Sequence, residues 1–181
     1  LEKNLNSNPL ISDKLKVLKH AEQLDPDFNN PNIIGGYLRN IILGATPKDC
    51  DVVFQGKELN QSGVLEAVQE AEQKLGIAPY PDWEFENATA TGVSGDFFDD
   101  TIGKYSHHTD YLTDLSIDTN GKVHIYEQKV LQDLETRTYD LRFAGIEIWA
   151  NHRNKGSSYT SCIVRDLTRA LYLGRLLSLN F

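Results

Sequence analysis

The run Ile33-Ile34-Gly35-Gly36-Tyr37-Leu38-Arg39-Asn40-Ile41-Ile42-Leu43-Gly44 changes its apolar period across a glycine pair. Ile33-Ile34 reads as the end of a short buried strand. Beyond the glycines, Leu38, Ile41 and Ile42 recur at helical spacing, and Gly44 is a helix stop. Ala45-Thr46-Pro47-Lys48 turns the chain into a second strand, Asp51-Val52-Val53-Phe54. A strand, a helix and a strand in one short stretch commit the chain to a sheet with helices laid on it.

The remaining elements extend that pattern. Residues 1–11 read as a flexible lead-in, and Ser12 as the cap of a helix with Leu15, Leu18 and Ala21 on one face. "DPDFNNPN" ends that helix. Residues 61–75 form an amphipathic helix with Val64, Leu65, Val68 and Ala71 toward the core. Residues 83–90 alternate like a strand, and the Gly- and Asp-rich stretch 91–110 is a long connection. Asn120-Gly121 places a tight turn inside a hairpin. Residues 128–143 are mostly helical, and 161–177 form a final helix. The expected fold class is α+β or α/β, a mixed sheet flanked by helices.

Several function classes are disfavoured. No apolar run approaches the roughly 20 residues of a membrane span. The polar opening residues lack the apolar segment of a signal peptide, so cytoplasm is the expected compartment. Two cysteines, Cys50 and Cys162, with no CxxC pair, suggest neither a disulfide framework nor a Cys-based zinc site. The net charge of −8 disfavours broad, non-specific nucleic-acid binding. Residues 165–175, with three arginines, are the best local basic patch.

Two features of the opening stretch carry chemistry. A glycine pair between strand and helix lets backbone approach a ligand closely and aims free N–H groups outward, which suits a triphosphate; Arg39, one turn on, adds a charge. Alone, such a pair is most often a tight turn with no ligand. Asp49 and Asp51 alternate at a strand's start, so both project on one face while Cys50 points to the core. Two carboxylates held that close repel unless a cation lies between them, and oxygen donors suit Mg²⁺. Alone, an Asp-x-Asp is usually a solvated turn. His107-His108 point apart in an extended chain and read as solvated loop; Trp83, Tyr105, Trp149 and Tyr159 are weighed as base-stacking rings against ordinary core.

The combination is more specific than its parts. Gly35, Gly36, Leu38, Arg39, Ile42, Leu43, Gly44, Asp49 and Asp51 resemble the GGxVRDxLLG…DxD pattern of the head domain of the tRNA nucleotidyltransferase (CCA-adding) and bacterial poly(A) polymerase family. Asn40 stands where that pattern has an acid. Glu84 matches the family's third carboxylate, and Glu86 shares its face. "HHTDYLTD" resembles the RRDFTxN segment through Asp110 and Tyr111, with both arginines missing. "DLETRTYDLR" resembles DLxxxxIR through Asp133, Leu134 and Arg142. Asp166 and Arg169 match the end of EDxxR, with Arg165 in the glutamate's place.

This resemblance implies a head domain over residues 1–143 and a helical neck-like segment over 144–181. It implies Mg²⁺ (or Mn²⁺) on Asp49 and Asp51, with Glu84 completing a catalytic set. It implies nucleotide contacts from Gly35, Gly36, Arg39, Lys48, Asp110, Asp166 and Arg169, an NTP substrate (ATP or CTP), and tRNA or another RNA as acceptor. A small molecule or protein acceptor is also compatible with so acidic a chain. The competing reading is a degenerate module that binds nucleotide without transferring it.

Overall fold

The computed structural model describes residues 1–56, 61–87, 115–125 and 128–138, together with 168, 171, 172, 174, 175, 177 and 178. Along the chain these are α1 (Glu2–Asn6), α2 (Pro9–Leu24), β1 (Asn29–Ile34), α3 (Gly36–Ile42), β2 (Cys50–Gln55), α4 (Gln61–Leu75), β3 (Trp83–Asn87), β4 (Leu115–Asp118), β5 (Val123–Ile125) and α5 (Gln128–Thr136). The strands form a five-stranded sheet in the order β3-β2-β1-β4-β5. Among the described residues, the β2–β3 pair is parallel and the other three pairs are antiparallel. The expected mixed sheet with flanking helices is what the chain forms.

One face of the sheet is apolar. Ile33, Cys50, Val52, Phe54, Leu115 and Ile117 bury into a single core with Ile11, Leu15, Leu18 and Ala21 of α2 and Val64, Val68 and Ala71 of α4. Phe28 anchors it, its ring 4.9 Å from Phe54 and 5.8 Å from Phe85. Burying each valine, leucine, isoleucine or phenylalanine among them contributes about 1.5–3 kcal/mol. No helix among the described residues is long and apolar enough to cross a membrane.

Three sequence expectations need correction. Residues 1–11 are not a loose lead-in: α1 buries Leu5, and α2 begins at Pro9 rather than after Ser12. Asn8 is the cap, its Oδ1 accepting the Leu10 N–H, and Pro9 opens the first turn, where a missing N–H costs nothing. In α4 the inward stripe is Val64, Ala67, Val68 and Ala71, while Leu65 is exposed. Ala67 completes the i, i+3, i+4, i+7 spacing that Leu65 breaks. The helix expected over 128–143 ends at Thr136, and Arg137 follows with φ 54°. From there Arg137 donates to the Leu43 carbonyl at 2.9 Å and the Leu177 carbonyl at 3.0 Å, tying the end of α3 to the C-terminal stretch. In that stretch Thr168, Leu171, Tyr172, Gly174, Arg175 and Leu177 are helical.

Candidate functional site

Strand pairing explains how the glycine turn and the acids meet. β1 runs antiparallel to β2 with Ile33 opposite Val52, so the end of β1 lies beside the start of β2. Gly35 follows β1 directly and Asp51 is the second residue of β2. A Cβ added to Gly35 would lie 3.5 Å from Asp51 Oδ2, so the turn's backbone rests against that carboxylate. Gly35 takes φ 73°, ψ −141°, which a side chain tolerates poorly. Its N–H is directed to the Leu115 carbonyl at 3.4 Å, fastening the turn to β4.

The parallel β2–β3 pairing supplies the next carboxylate. Its register sets Cys50 against Trp83, Asp51 against Glu84 and Val53 against Glu86. Asp51 and Glu84 therefore stand side by side on one sheet face, Asp51 half-buried and Glu84 exposed. With Val52, Val53 and Phe85 they line an open depression of ≈ 260 Å³. Asp49 is exposed and precedes the strand rather than belonging to it, and Lys48 is exposed beside it. Among the described residues, no group of three or more His, Cys, Asp or Glu is placed to hold a metal ion. The donor chemistry suits a hard cation, since Asp51 and Glu84 offer only carboxylate oxygens, but the third carboxylate does not converge on them.

Arg39 lies under the glycine turn. It is 5% exposed, and its Nε and Nη2 donate to Asn40 Oδ1 at 3.0 and 2.8 Å. A Cβ on Gly36 would come within 3.3 Å of Arg39 Nη2, so the second glycine leaves room for the guanidinium. Asn40, the departure from the family pattern, thus keeps an acceptor on the arginine while withholding a charge.

Behind the acids, on the closed face, is a polar cluster that the sequence reading missed. Lys14 of α2 is fully buried, yet its Nζ donates to Asp82 Oδ1 at 2.6 Å. The ammonium sits 3.8 Å from the centre of the Trp83 ring, 4.1 Å from Tyr80 and 5.4 Å from Tyr37. Such cation–π contacts strengthen when water is excluded. Glu72 of α4, also buried, accepts from the Tyr80 N–H and from Trp83 Nε1, both at 3.0 Å. The Asp82 carbonyl accepts the Cys50 N–H at 2.6 Å. The one available sequence signal was a lysine inside the apolar stripe Ile11, Leu15, Leu18 of α2. Trp83, weighed earlier as a base-stacking ring, belongs to this cluster and to the core.

Burial pushes the Cys50 thiol far up, aided by the Asp82 and Asp51 carboxylates and opposed by Lys14, so it stays protonated and is no nucleophile. Burial likewise raises the Tyr37 and Tyr80 phenols, helped in both by Asp82. Of the remaining expected site residues, Asp110, Asp166 and Arg169 lie outside the described residues, as do His107-His108, Arg142 and Cys162.

No protein-family model matches the chain, and no curated protein does. Solved structures do. A CCA-adding enzyme in complex with CTP matches with a TM-score of 0.51 at 17% identity, covering 96% of this chain and 45% of that one. A CCA-adding enzyme in complex with ATP matches with a TM-score of 0.51 at 15% identity, covering 96% and 46%. The chain thus spans less than half the length of these two structures. At such identities the likeness is one of fold: the chain has a nucleotidyltransferase-like fold of the kind found in CCA-adding enzymes.

Proposed function

We propose that the chain is a metal-dependent nucleotidyltransferase, or the nucleotidyltransferase part of one, moving a nucleoside monophosphate from an NTP to an acceptor hydroxyl at an RNA 3′ end. The observation that carries this reading is the meeting of three elements: the Gly35 turn lies against Asp51, and Asp51 stands beside Glu84. The fold shared with CCA-adding enzymes supports it.

In this reading the Gly35-Gly36 turn receives phosphate oxygens, with Arg39 beneath it and Lys48 at the rim. Asp51 and Glu84, with Asp49 brought in from its exposed position, would hold Mg²⁺ or Mn²⁺. A bound divalent cation supplies charge neutralisation on the triphosphate and lowers the pKa of the acceptor hydroxyl. The carboxylates orient the acceptor, and Asp110, Asp166 and Arg169 contact the nucleotide. A depression of ≈ 260 Å³ is smaller than the ~300–1,000 Å³ usual for a whole small-molecule ligand. It offers room for part of an NTP beside the two carboxylates, with the rest seated by other residues.

The test is incorporation of each labelled NTP into tRNA or short RNA with Mg²⁺ or Mn²⁺, comparing the native chain with Asp51→Asn and Glu84→Gln. Loss of several kcal/mol of transition-state stabilisation predicts a drop of about 10³-fold for Asp51→Asn, in a chain whose circular dichroism still reports the native fold. Incorporation that survives both substitutions would sink the proposal. Asn40 and the unconverged third carboxylate favour a second reading, nucleotide binding without transfer. That reading predicts calorimetric NTP binding with no incorporation by the native chain.

A further inference from the structure

We infer that Lys14 is a positioning residue for the candidate site, acting through Asp82 from the opposite face of the sheet. The inference rests on the proposed function. It starts from where Asp82 stands: immediately before β3, one residue from Trp83 and two from Glu84. Its carboxylate receives Lys14 Nζ at 2.6 Å, and its backbone carbonyl receives the N–H of Cys50, the first residue of β2, at 2.6 Å. One residue therefore fastens the start of both strands. The next rung of the ladder is Asp51 beside Glu84.

A one-residue slip in this parallel pair would turn Glu84 to the core and bring an aromatic ring to the open face. The closed face blocks that slip. Trp83 is fixed by its Nε1 bond to Glu72, by Lys14 at 3.8 Å, and by a stacked Phe85 ring at 5.7 Å. Tyr80 is held by its N–H bond to the same Glu72 and by Lys14 at 4.1 Å. A buried ammonium is costly unless paired, and this one is placed where its pairing fixes the strand starts. Lys14 touches no ligand in this scheme; it sets which carboxylates come together.

The experiment compares Lys14→Met, which keeps the length and apolar stem, with Asp82→Ala and Asp82→Asn. The asparagine retains an oxygen that accepts from Lys14 and the carbonyl that accepts from Cys50. Three readouts are taken: Mn²⁺ binding by electron paramagnetic resonance, steady-state incorporation, and amide hydrogen exchange. Groups that orient metal-binding carboxylates typically cost 10–100-fold when removed, so Lys14→Met and Asp82→Ala are expected to weaken Mn²⁺ binding and lower kcat by about ten-fold or more. KM for the NTP is expected to stay within about three-fold, a split that general destabilisation would not produce. Asp82→Asn, which keeps an acceptor for Lys14 but removes its counter-charge, is expected to fall between Asp82→Ala and the native chain. Exchange is expected to quicken at the start of β2 and β3 while β1 and β4 keep their protection. Native-like Mn²⁺ binding and kcat in Lys14→Met would overturn the inference, as would exchange loosened evenly over the whole sheet. A native chain that neither binds Mn²⁺ nor incorporates nucleotide overturns the proposed function and this inference with it. Native activity that survives Lys14→Met but not Asp51→Asn overturns the inference alone.

Discussion

The two faces of the β2–β3 pair treat charge in opposite ways. On the open face, Asp51 and Glu84 stand side by side with like charge at the lip of a depression. On the closed face, Lys14 is matched by Asp82, ringed by three aromatics and backed by Glu72. The closed face follows from burial, since charge inside a core is tolerated only when paired. Asp51 and Glu84 share one face while the same strands are fastened on the other, and a divalent cation bound at that face would favour both carboxylates in their charged form.

The contrast can be broken most sharply at Gly35. Its backbone conformation is nearly reserved for glycine, so Gly35→Ala is expected to cost about 1–3 kcal/mol. For a domain of this size that lowers Tm by about 2–12 °C in a thermal melt. The new Cβ, 3.5 Å from Asp51 Oδ2, makes only an ordinary contact, so the cost lies in the backbone. Gly36→Ala is the control. It meets Arg39 Nη2 at 3.3 Å without a positive φ, and its effect on Tm is expected to be the smaller. Equal losses at the two glycines would mean that Gly35's conformation carries no special cost.

That turn was legible in the sequence because its signals are local. The period change at Gly35-Gly36, the stop at Gly44, the bounds of α4 and the Asn120-Gly121 hairpin all follow from residues near one another in the chain. The inward placement of Cys50 and the outward placement of Asp51 followed from alternation alone. The closed face was not legible. Lys14 and Asp82 are separated by 68 positions, and nothing in "ISDKLKVL" says which carboxylate will pair with a lysine on an apolar stripe. The start of α2 differs from the Ser12 expectation because Asn8 caps the helix one turn earlier and Pro9 fits its first turn. Why Asp51 faces Glu84 was likewise invisible until the strand order and the parallel register were known.

The closed face can be probed by alkali. The Cys50 thiol and the Tyr37 and Tyr80 phenols titrate higher in the folded chain than their ordinary values, burial being the leading cause. Above the ordinary values the unfolded chain therefore sheds protons that the native chain keeps, and stability falls as pH rises. The contribution is fully present below about pH 8.5, where the unfolded thiol begins to titrate, and the phenols add their share from about pH 10. Each group steepens the loss by at most about 1.4 kcal/mol per pH unit. Urea unfolding at increasing pH is the measurement. Cys50→Ala is expected to remove the earlier part of the decline and leave the part set by the tyrosines. A decline that begins at the same pH in both chains would show that the thiol is not held protonated.

The smallest effect tests the open face from below. Arg39 gives two hydrogen bonds to one neutral oxygen, Asn40 Oδ1. In Asn40→Asp the acceptor gains a charge, and charge-assisted bonds contribute about 1.5–3 kcal/mol against about 0.5–1.5 for neutral ones. The net gain is expected to be about 1 kcal/mol, because Asn40 is only half-buried and water screens part of the attraction. A differential melt should register it as a rise of about 2–4 °C. Because Arg39 lies against Gly36, a firmer hold on the guanidinium also firms the turn, and KM for the NTP is expected to fall by no more than about three-fold, within what 1 kcal/mol allows. A higher Tm with weaker NTP binding would reverse the sign of the argument: the neutral asparagine would then be the residue that keeps a further negative charge away from the phosphates, and the departure from the family pattern would be an adaptation of the site rather than its decay.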